Sequence, residues 1–409
     1  MNALICPARV DARVAPSEVV EAYRVARIDV FDNLQIAEPI WRALEGDGTL
    51  ASPYQRYDWI LSWQTHIGAP SGVTPFLVVG RELDGTPAFL WPLGTRRVGP
   101  ITVAGFLGGK HTNFNLPLWR SDLAASISVA EIHRILKLTE ITSRVDLLVL
   151  TNQPKSWDGV PNPLLKLKHQ PSPSHGLRGR LATDFEALLR ERLDRTARRK
   201  WRQKQAALAA HGPIRFWRVE TVADVRLVLD AFFAQKAQRM RKLGLADSFS
   251  SPGTRAFIEA AATQRLSQAH PAIELYACAV GEQIVATYGG VVGGGRFCGV
   301  FNSIIHGELA RKSPGQLLMI NVVRMCCQRG VTHFDLGVGE ARFKRLFCTE
   351  IEPLFDTFQP LTAPGSIAAL GYRLGYHLKG RIKGSPTIWD GANTLRRRLR
   401  SLPRSIRRR

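Results

Sequence analysis

The chain has 409 residues, 45% of them hydrophobic, which points to two cores of ordinary size and not one. Lys and Arg number 56 against 34 Asp and Glu, a formal net charge of +22 that attracts polyanions without choosing among phosphorylated cofactor, nucleic acid and anionic membrane. No stretch approaches the roughly 18 apolar residues of a membrane span; the six cysteines contain no Cys-x-x-Cys pair, and their one adjacent pair falls in an expected helix, which disfavours a disulfide or zinc site there, so they read as reduced thiols.

In chain order, residues 1–25 read as a lead-in without the apolar run of a signal peptide. A first domain is expected over 26–160. Within residues 53–63, Trp59, Ile60 and Trp63 share one face at helical spacing. The β-branched run 74–80, an Asp84-Gly85 turn and the return over 87–93 predict a hairpin. A helix over 130–144 and a buried strand over 145–151 follow. Residues 161–180 have the composition of a linker.

A second domain is expected over 181–362. It opens with a charged helix over 184–210, a strand over 214–219 and helices over 222–243 and 252–269. A three-strand meander covers 273–280, 284–292 and 296–302, with a Gly281-Glu282 turn and a glycine turn. A helix over 314–329, a strand over 332–336, a short helix over 341–347 and a last strand over 353–358 complete it, before a basic tail over 363–409. That order of elements is the order in a GNAT (N-acetyltransferase) domain, and the first half echoes it. The expected fold is α+β: two tandem acyl-CoA N-acyltransferase-like domains, each a mixed, mainly antiparallel sheet flanked by helices, derived by duplication.

Three constellations carry candidate chemistry. Arg311-Lys312-Ser313-Pro314-Gly315-Gln316 joins the meander to an apolar helix. Pro314 suits the first helical position and Ser313 the N-cap. The helix start, with Arg311 and Lys312 beside it, suits a pyrophosphate, although the pattern also describes a plain capped helix. Gly315 would let a ligand approach closely, so Gly315→Val is expected to weaken cofactor binding with little change in fold.

In the second, Asp335 ends a buried strand, Gly337 and Gly339 follow, and Glu340 and Lys344 fall one helical turn apart. A carboxylate at a strand end in a cleft accepts a proton from an attacking hydroxyl or amine, which makes Asp335, Glu340 and Lys344 catalytic candidates. A capping role for Asp335 and a Glu340–Lys344 ion pair are the plainer alternatives. In the third, His111, Asn113 and Asn115 follow a Gly-Gly turn. They are candidate donors to a substrate in an interdomain cleft, or members of a polar loop closed by Asx turns.

The run Ser-Pro-Gly-Gln-Leu-Leu at 313–318, followed by Phe-Asp-Leu-Gly-Val-Gly-Glu at 334–340 and Phe343-Lys344, resembles the CelD/BcsL-type acetyltransferases, relatives of the FemAB peptidyltransferases. So do the helix around Trp201 and the first-half motifs Pro53-Tyr54-Gln55, Trp91-Pro92-Leu93 and Phe106-Leu107-Gly108-Gly109. Where this chain has Val338-Gly339-Glu340, the family often has Arg-Gly-Asp. The resemblance implies transfer of an acyl group, acetyl from acetyl-CoA, to a hydroxyl or amine of a carbohydrate or cell-envelope precursor. It implies no metal. It also implies a cofactor site at Arg311, Lys312, Ser313, Gly315 and Gln316, walled by the strand ending near Asn302.

An aminoacyl-tRNA-dependent transferase of FemAB type, or a polyanion-binding protein without catalysis, are the alternatives; nucleic acid is otherwise not an expected partner. Reduced thiols and the missing signal predict a cytoplasmic location. The basic tail adds contact with the inner face of an anionic membrane. In the basic run 195–204, Trp201 is expected to anchor a helix whose cations stay in water.

Overall fold

The computed structural model describes residues 23–46, 48–339 and 342–384. The first half contains β1 (Arg27–Phe31), α1 (Leu34–Ala43), β2 (Thr49–Leu50), α2 (Tyr57–Trp63), β3 (Thr74–Arg81), β4 (Pro87–Val98) and β5 (Ile101–Phe106). It continues through β6 (Leu118–Arg120), α3 (Ser121–Ser126), α4 (Val129–Thr142), β7 (Leu147–Pro154) and a small hairpin of β8 (Ser156–Trp157) and β9 (Val160–Pro161). The β3–β4 hairpin turns where expected: Gly85 takes φ +87°, and Asp84 accepts from the Thr86 amide at 2.8 Å. Ser128 caps α4 by accepting the Glu131 amide at 3.1 Å.

Next come β10 (His169–Pro171), β11 (Gly176–Arg180), α5 (Phe185–Arg192), α6 (Arg195–Ala209), β12 (Ile214–Arg218), α7 (Val222–Lys242) and α8 (Pro252–Thr263). The long charged helix expected over 184–210 is therefore two helices. Asp194 breaks it by capping α6, its Oδ1 accepting the Ala197 amide at 2.6 Å. The meander is β13 (Glu274–Val280), β14 (Gln283–Gly293) and β15 (Arg296–Ile304), followed by α9 (Glu308–Arg311), α10 (Pro314–Gln328), β16 (His333–Val338), β17 (Glu350–Glu352), β18 (Leu354–Pro360) and α11 (Ala363–Gly384).

The two large sheets share one internal order. The first runs β1-β3-β4-β5-β7-β18-β10, with β2 and β6 attached beside β4; the second runs β12-β13-β14-β15-β16-β11-β17. Each contains one parallel pair, β5 with β7 and β15 with β16, followed by an antiparallel strand. The matching order supports the duplication. The antiparallel strands are exchanged between halves. β11 pairs β16 and β17 in the second sheet, whereas β18 pairs β7 and β10 in the first.

Two expectations are corrected here. Residues 161–180 are not a linker, because they supply a strand to each sheet, and the last strand of the second half belongs to the first sheet. Strand pairing is tertiary, and the local composition of 161–180 carries no sign of it. The region from 363 also begins as a helix, α11. It packs through Ala369, Tyr372 and Tyr376 on Phe358, Leu147 and Val103; the rest of the basic tail lies outside the described residues.

One buried cluster runs from Trp41, Trp59 and Trp91 through Phe257, Leu275 and Phe301, so the first core continues into the second half. Trp59 and Phe257 meet edge-on at 5.0 Å across that boundary. A second cluster, on the far face of the second sheet, collects α5, α6 and α10, and Trp201 anchors α6 there as expected.

Candidate functional site

The parallel pair β15–β16 holds register over only three residues, Arg296 with His333, Phe297 with Phe334 and Cys298 with Asp335. On its other side β15 carries a bulge: Gly289 faces Phe301 and Gly290 faces Gly299, leaving Val300 as the extra residue. A bulge bends its strand and ends pairing nearby. Beyond it a cavity of about 260 Å³ is lined by β15 residues Gly299 to Asn302, by Leu336 and Val338 of β16, and by Tyr288, Lys236, Phe343 and Lys344. The first half reaches into it with Asn113. The Asn113 Nδ2 donates to the Tyr54 hydroxyl at 2.8 Å and approaches the Gly299 carbonyl at 3.5 Å. A Cβ at Gly337, whose φ is +70°, would sit 2.5 Å from that nitrogen. Asn113 thus contacts both diverging strands.

A second cavity, about 140 Å³, shares Asn113, Phe249, Val300 and Phe301 with the first and adds His111, Lys110, Trp59 and Phe257. Trp63 Nε1 donates to His111 Nδ1 at 3.1 Å, which places the imidazole hydrogen on Nε2. Burial, aided by the charge of Lys110, pushes the imidazole down to about 4. His111 is therefore a neutral hydrogen-bond donor on the cavity wall and not a base.

A larger cleft of about 680 Å³ lies elsewhere between the halves, against Arg42, Arg56, Arg265 and the Gly293-Gly294 turn. Its arginines brace structure: Arg42 pairs with Asp58 and Glu45, and Arg56 donates to the carbonyls of Pro271 and His270 at 2.9 Å each. The unpaired strand edge lies at the two smaller cavities.

The catalytic candidates fare differently from expectation. Asp335 is fully buried and lines neither cavity. Its Oδ1 accepts the Gly337 amide at 2.5 Å, and its Oδ2 faces Arg296 Nη1 at 3.9 Å. Burial pushes this carboxyl up to about 7 against the pull of Arg296. It holds the last residues of β16 and lies behind the cavity wall. Lys344 lines the cavity, but its ammonium donates to the carbonyls of Gly337, Val338 and Gly339 at 3.3, 3.2 and 2.9 Å. It fastens the glycine loop. Glu340 lies outside the described residues.

Asn115 is corrected as well. Its side chain is spent on the Thr151 carbonyl and the Thr112 hydroxyl, both at 2.9 Å, so it ties its loop to β7 and lines neither cavity. Asn302 does line the larger of the two, and its carbonyl accepts Lys236 Nζ at 3.2 Å.

At the start of α10, Ser313 occupies the N-cap position but in a left-handed conformation, φ +61°, and makes no side-chain cap. Arg311 ends α9 and Lys312 follows it directly. Lys204 of α6 donates to Gln316 at 2.8 Å, which brings the basic run of α6 beside this helix start. A Cβ on Gly315 would lie 2.6 Å from Ile304 Cγ2. The glycine is therefore needed for the packing of α10 on β15, and Gly315→Val cannot be neutral for the fold.

Three residues at the site escaped the sequence reading. Tyr54 sits in a motif noted there, but Lys236 and Tyr288 lie in ordinary helix and strand patterns with no local signal. Arg296 is fully buried, stacked at 3.6 Å on the Trp157 ring and facing Glu352 at 3.5 Å. Among the described residues, no group of three or more His, Cys, Asp or Glu is placed to hold a metal ion. The five described cysteines are buried and free.

Residues 195–345 match a family model described as an acetyltransferase (GNAT) domain. No curated protein matches the sequence. Among solved structures, a conserved protein of unknown function from Bacteroides thetaiotaomicron is 13% identical, covering 81% of this chain and 100% of its own, with a TM-score of 0.50. FemX is 10% identical over 80% of this chain and 96% of its own, with a TM-score of 0.56. A tandem GNAT protein from the clavulanic acid biosynthesis pathway is 11% identical over 82% of this chain and 99% of its own, with a TM-score of 0.42. At such identities the likenesses to the Bacteroides protein and to FemX speak for the fold alone, and the family match speaks for residues 195–345.

Proposed function

We propose that the chain is a GNAT-type acyltransferase and that it moves an acetyl group from acetyl-CoA to a hydroxyl or amine of a carbohydrate or cell-envelope precursor. The observation that carries this reading is the divergence of β15 from β16 at the Val300 bulge, which leaves a strand edge facing a cavity that Asn113 closes from the other half. An acyl thioester supplies an activated carbonyl. Backbone groups on the free edge of β15, between Val300 and Asn302, suit binding that carbonyl and stabilising the charge that develops on its oxygen. Lys236 fixes the Asn302 end of this edge.

Arg311, Lys312 and the start of α10 suit the cofactor's phosphates, with Lys204 and Gln316 alongside. The second cavity, with the neutral donor His111, suits the acceptor, so that acceptor and acyl carbon meet beside Asn113. The CelD/BcsL-type resemblance supports a carbohydrate acceptor.

Thermal shift separates the alternatives. Acetyl-CoA should raise the Tm of the wild type, and the shift should vanish in an Arg311→Ala/Lys312→Ala variant that melts normally without ligand. A saturating ligand at about 100 times its Kd contributes about 2.7 kcal/mol, well within reach of the measurement. Stabilisation by tRNA and not by acetyl-CoA, with steep salt dependence, would instead make the exposed basic face of α6 the donor site.

A further inference from the structure

We infer that the outer face of α11 is a docking surface for an anionic lipid bilayer, independently of the acyl-transfer reading. The inner face of the helix is used: Ala369, Tyr372 and Tyr376 pack on the first sheet. The outer face carries Ile367, Leu370, Leu374 and Leu378, exposed by 80, 59, 63 and 59%. Their spacing places them in one line roughly 16 Å long at 1.5 Å per residue. Gly371 and Gly375 lie between them, and a Cβ at either would meet nothing within 4 Å. Single exposed leucines are ordinary, but four aliphatic side chains in a line on one helix mark an interaction surface.

Charge identifies the occupant. α11 contains no acidic residue, and Arg381 stands exposed at the end of the stripe, whereas Lys379, also exposed, lies around the helix with its ammonium 5.1 Å from the Tyr376 ring centroid. The sequence that follows, 385–409, holds eight arginines, with Asp390 as its sole acid. An apolar stripe continued by cations matches the two parts of an anionic bilayer surface, acyl chains below and negative headgroups above. A second copy of this chain would set like charge against like. A nucleic acid would leave the leucines in water. Among the described residues, no helix is long and apolar enough to cross a membrane, so the helix would lie in the interface plane.

The test is flotation of the full chain with phosphatidylcholine vesicles, plain or carrying about a third phosphatidylglycerol. The wild type should float with the anionic vesicles and not the neutral ones, and raised salt should weaken it. Leu370→Gln/Leu374→Gln/Leu378→Gln, on exposed positions and with an unchanged Tm, should lower the partition at least about tenfold. Arg381→Gln should lower it a few fold. The inference is overturned if the wild type ignores anionic vesicles, or if the triple leucine variant binds them as the wild type does, leaving the arginines alone responsible. It is equally overturned if the leucine substitutions turn a wild-type dimer into a monomer without affecting vesicle binding.

Discussion

The carboxyl of Asp335 is fully buried, accepts one backbone amide and faces Arg296 across 3.9 Å. Burial outweighs the cation, so its pKa in the fold, about 7, stands above the ordinary 3.8. A group raised on folding stabilises most below its unfolded value, and that contribution is lost as the pH rises through the folded one. Asp335→Asn keeps an oxygen for the Gly337 amide and removes the titration. The wild-type Tm minus the variant Tm should therefore fall between pH 5 and pH 8 by on the order of a few °C, read by calorimetry. A difference that stays constant over that range means the carboxyl titrates outside it. Asp335 is legible in the sequence as a strand carboxylate, but neither its place inside β16 nor its role is. The residues that decide it, Arg296 and Gly337, act through burial and distance, which no spacing encodes. Asn113 and Asn115 show the same limit, since two residues of one motif face a cavity and a strand respectively.

Gly179 of β11 is where the exchanged strand is clamped: a Cβ there would lie 1.8 Å from the Phe347 carbonyl oxygen. A backbone atom cannot swing aside as a side-chain end can. Gly179→Ala should therefore cost about 2 to 3 kcal/mol, measured by chemical denaturation. No loss of stability would mean that the 347–348 backbone moves freely away from β11. Gly315→Ala crowds only Ile304 Cγ2, and Ile304→Ala should restore part of what it costs; without such rescue, the pressure on α10 comes from elsewhere. At this scale much of the fold is legible. The meander β13–β15 shows itself because apolar runs are separated by glycines that take positive φ at Gly281, Gly294 and Gly295. The exchange of β11 and β18 is not legible, because edge strands carry similar patterns whichever sheet they join.

That exchange decides how the whole molecule responds to stress. Removing β18 would leave the β7 edge of the first sheet unpaired, and removing β11 would separate β16 from β17. The main core also crosses the boundary between the halves, and Arg56 of the first half is bonded to two carbonyls of the second. Two tandem domains joined by a linker would unfold in two steps. Two sheets that each contain a strand delivered by the other half cannot unfold separately without breaking their own hydrogen-bond ladders. One transition is therefore expected by calorimetry, coincident with the loss of tryptophan fluorescence from Trp91 and Trp119 in the first core and Trp201 in the second. A ligand held on the second half, as proposed for acetyl-CoA, should then raise the melting of both cores together. Two separated transitions, with only the later or only the earlier moved by acetyl-CoA, would show that β11 and β18 detach before either core melts.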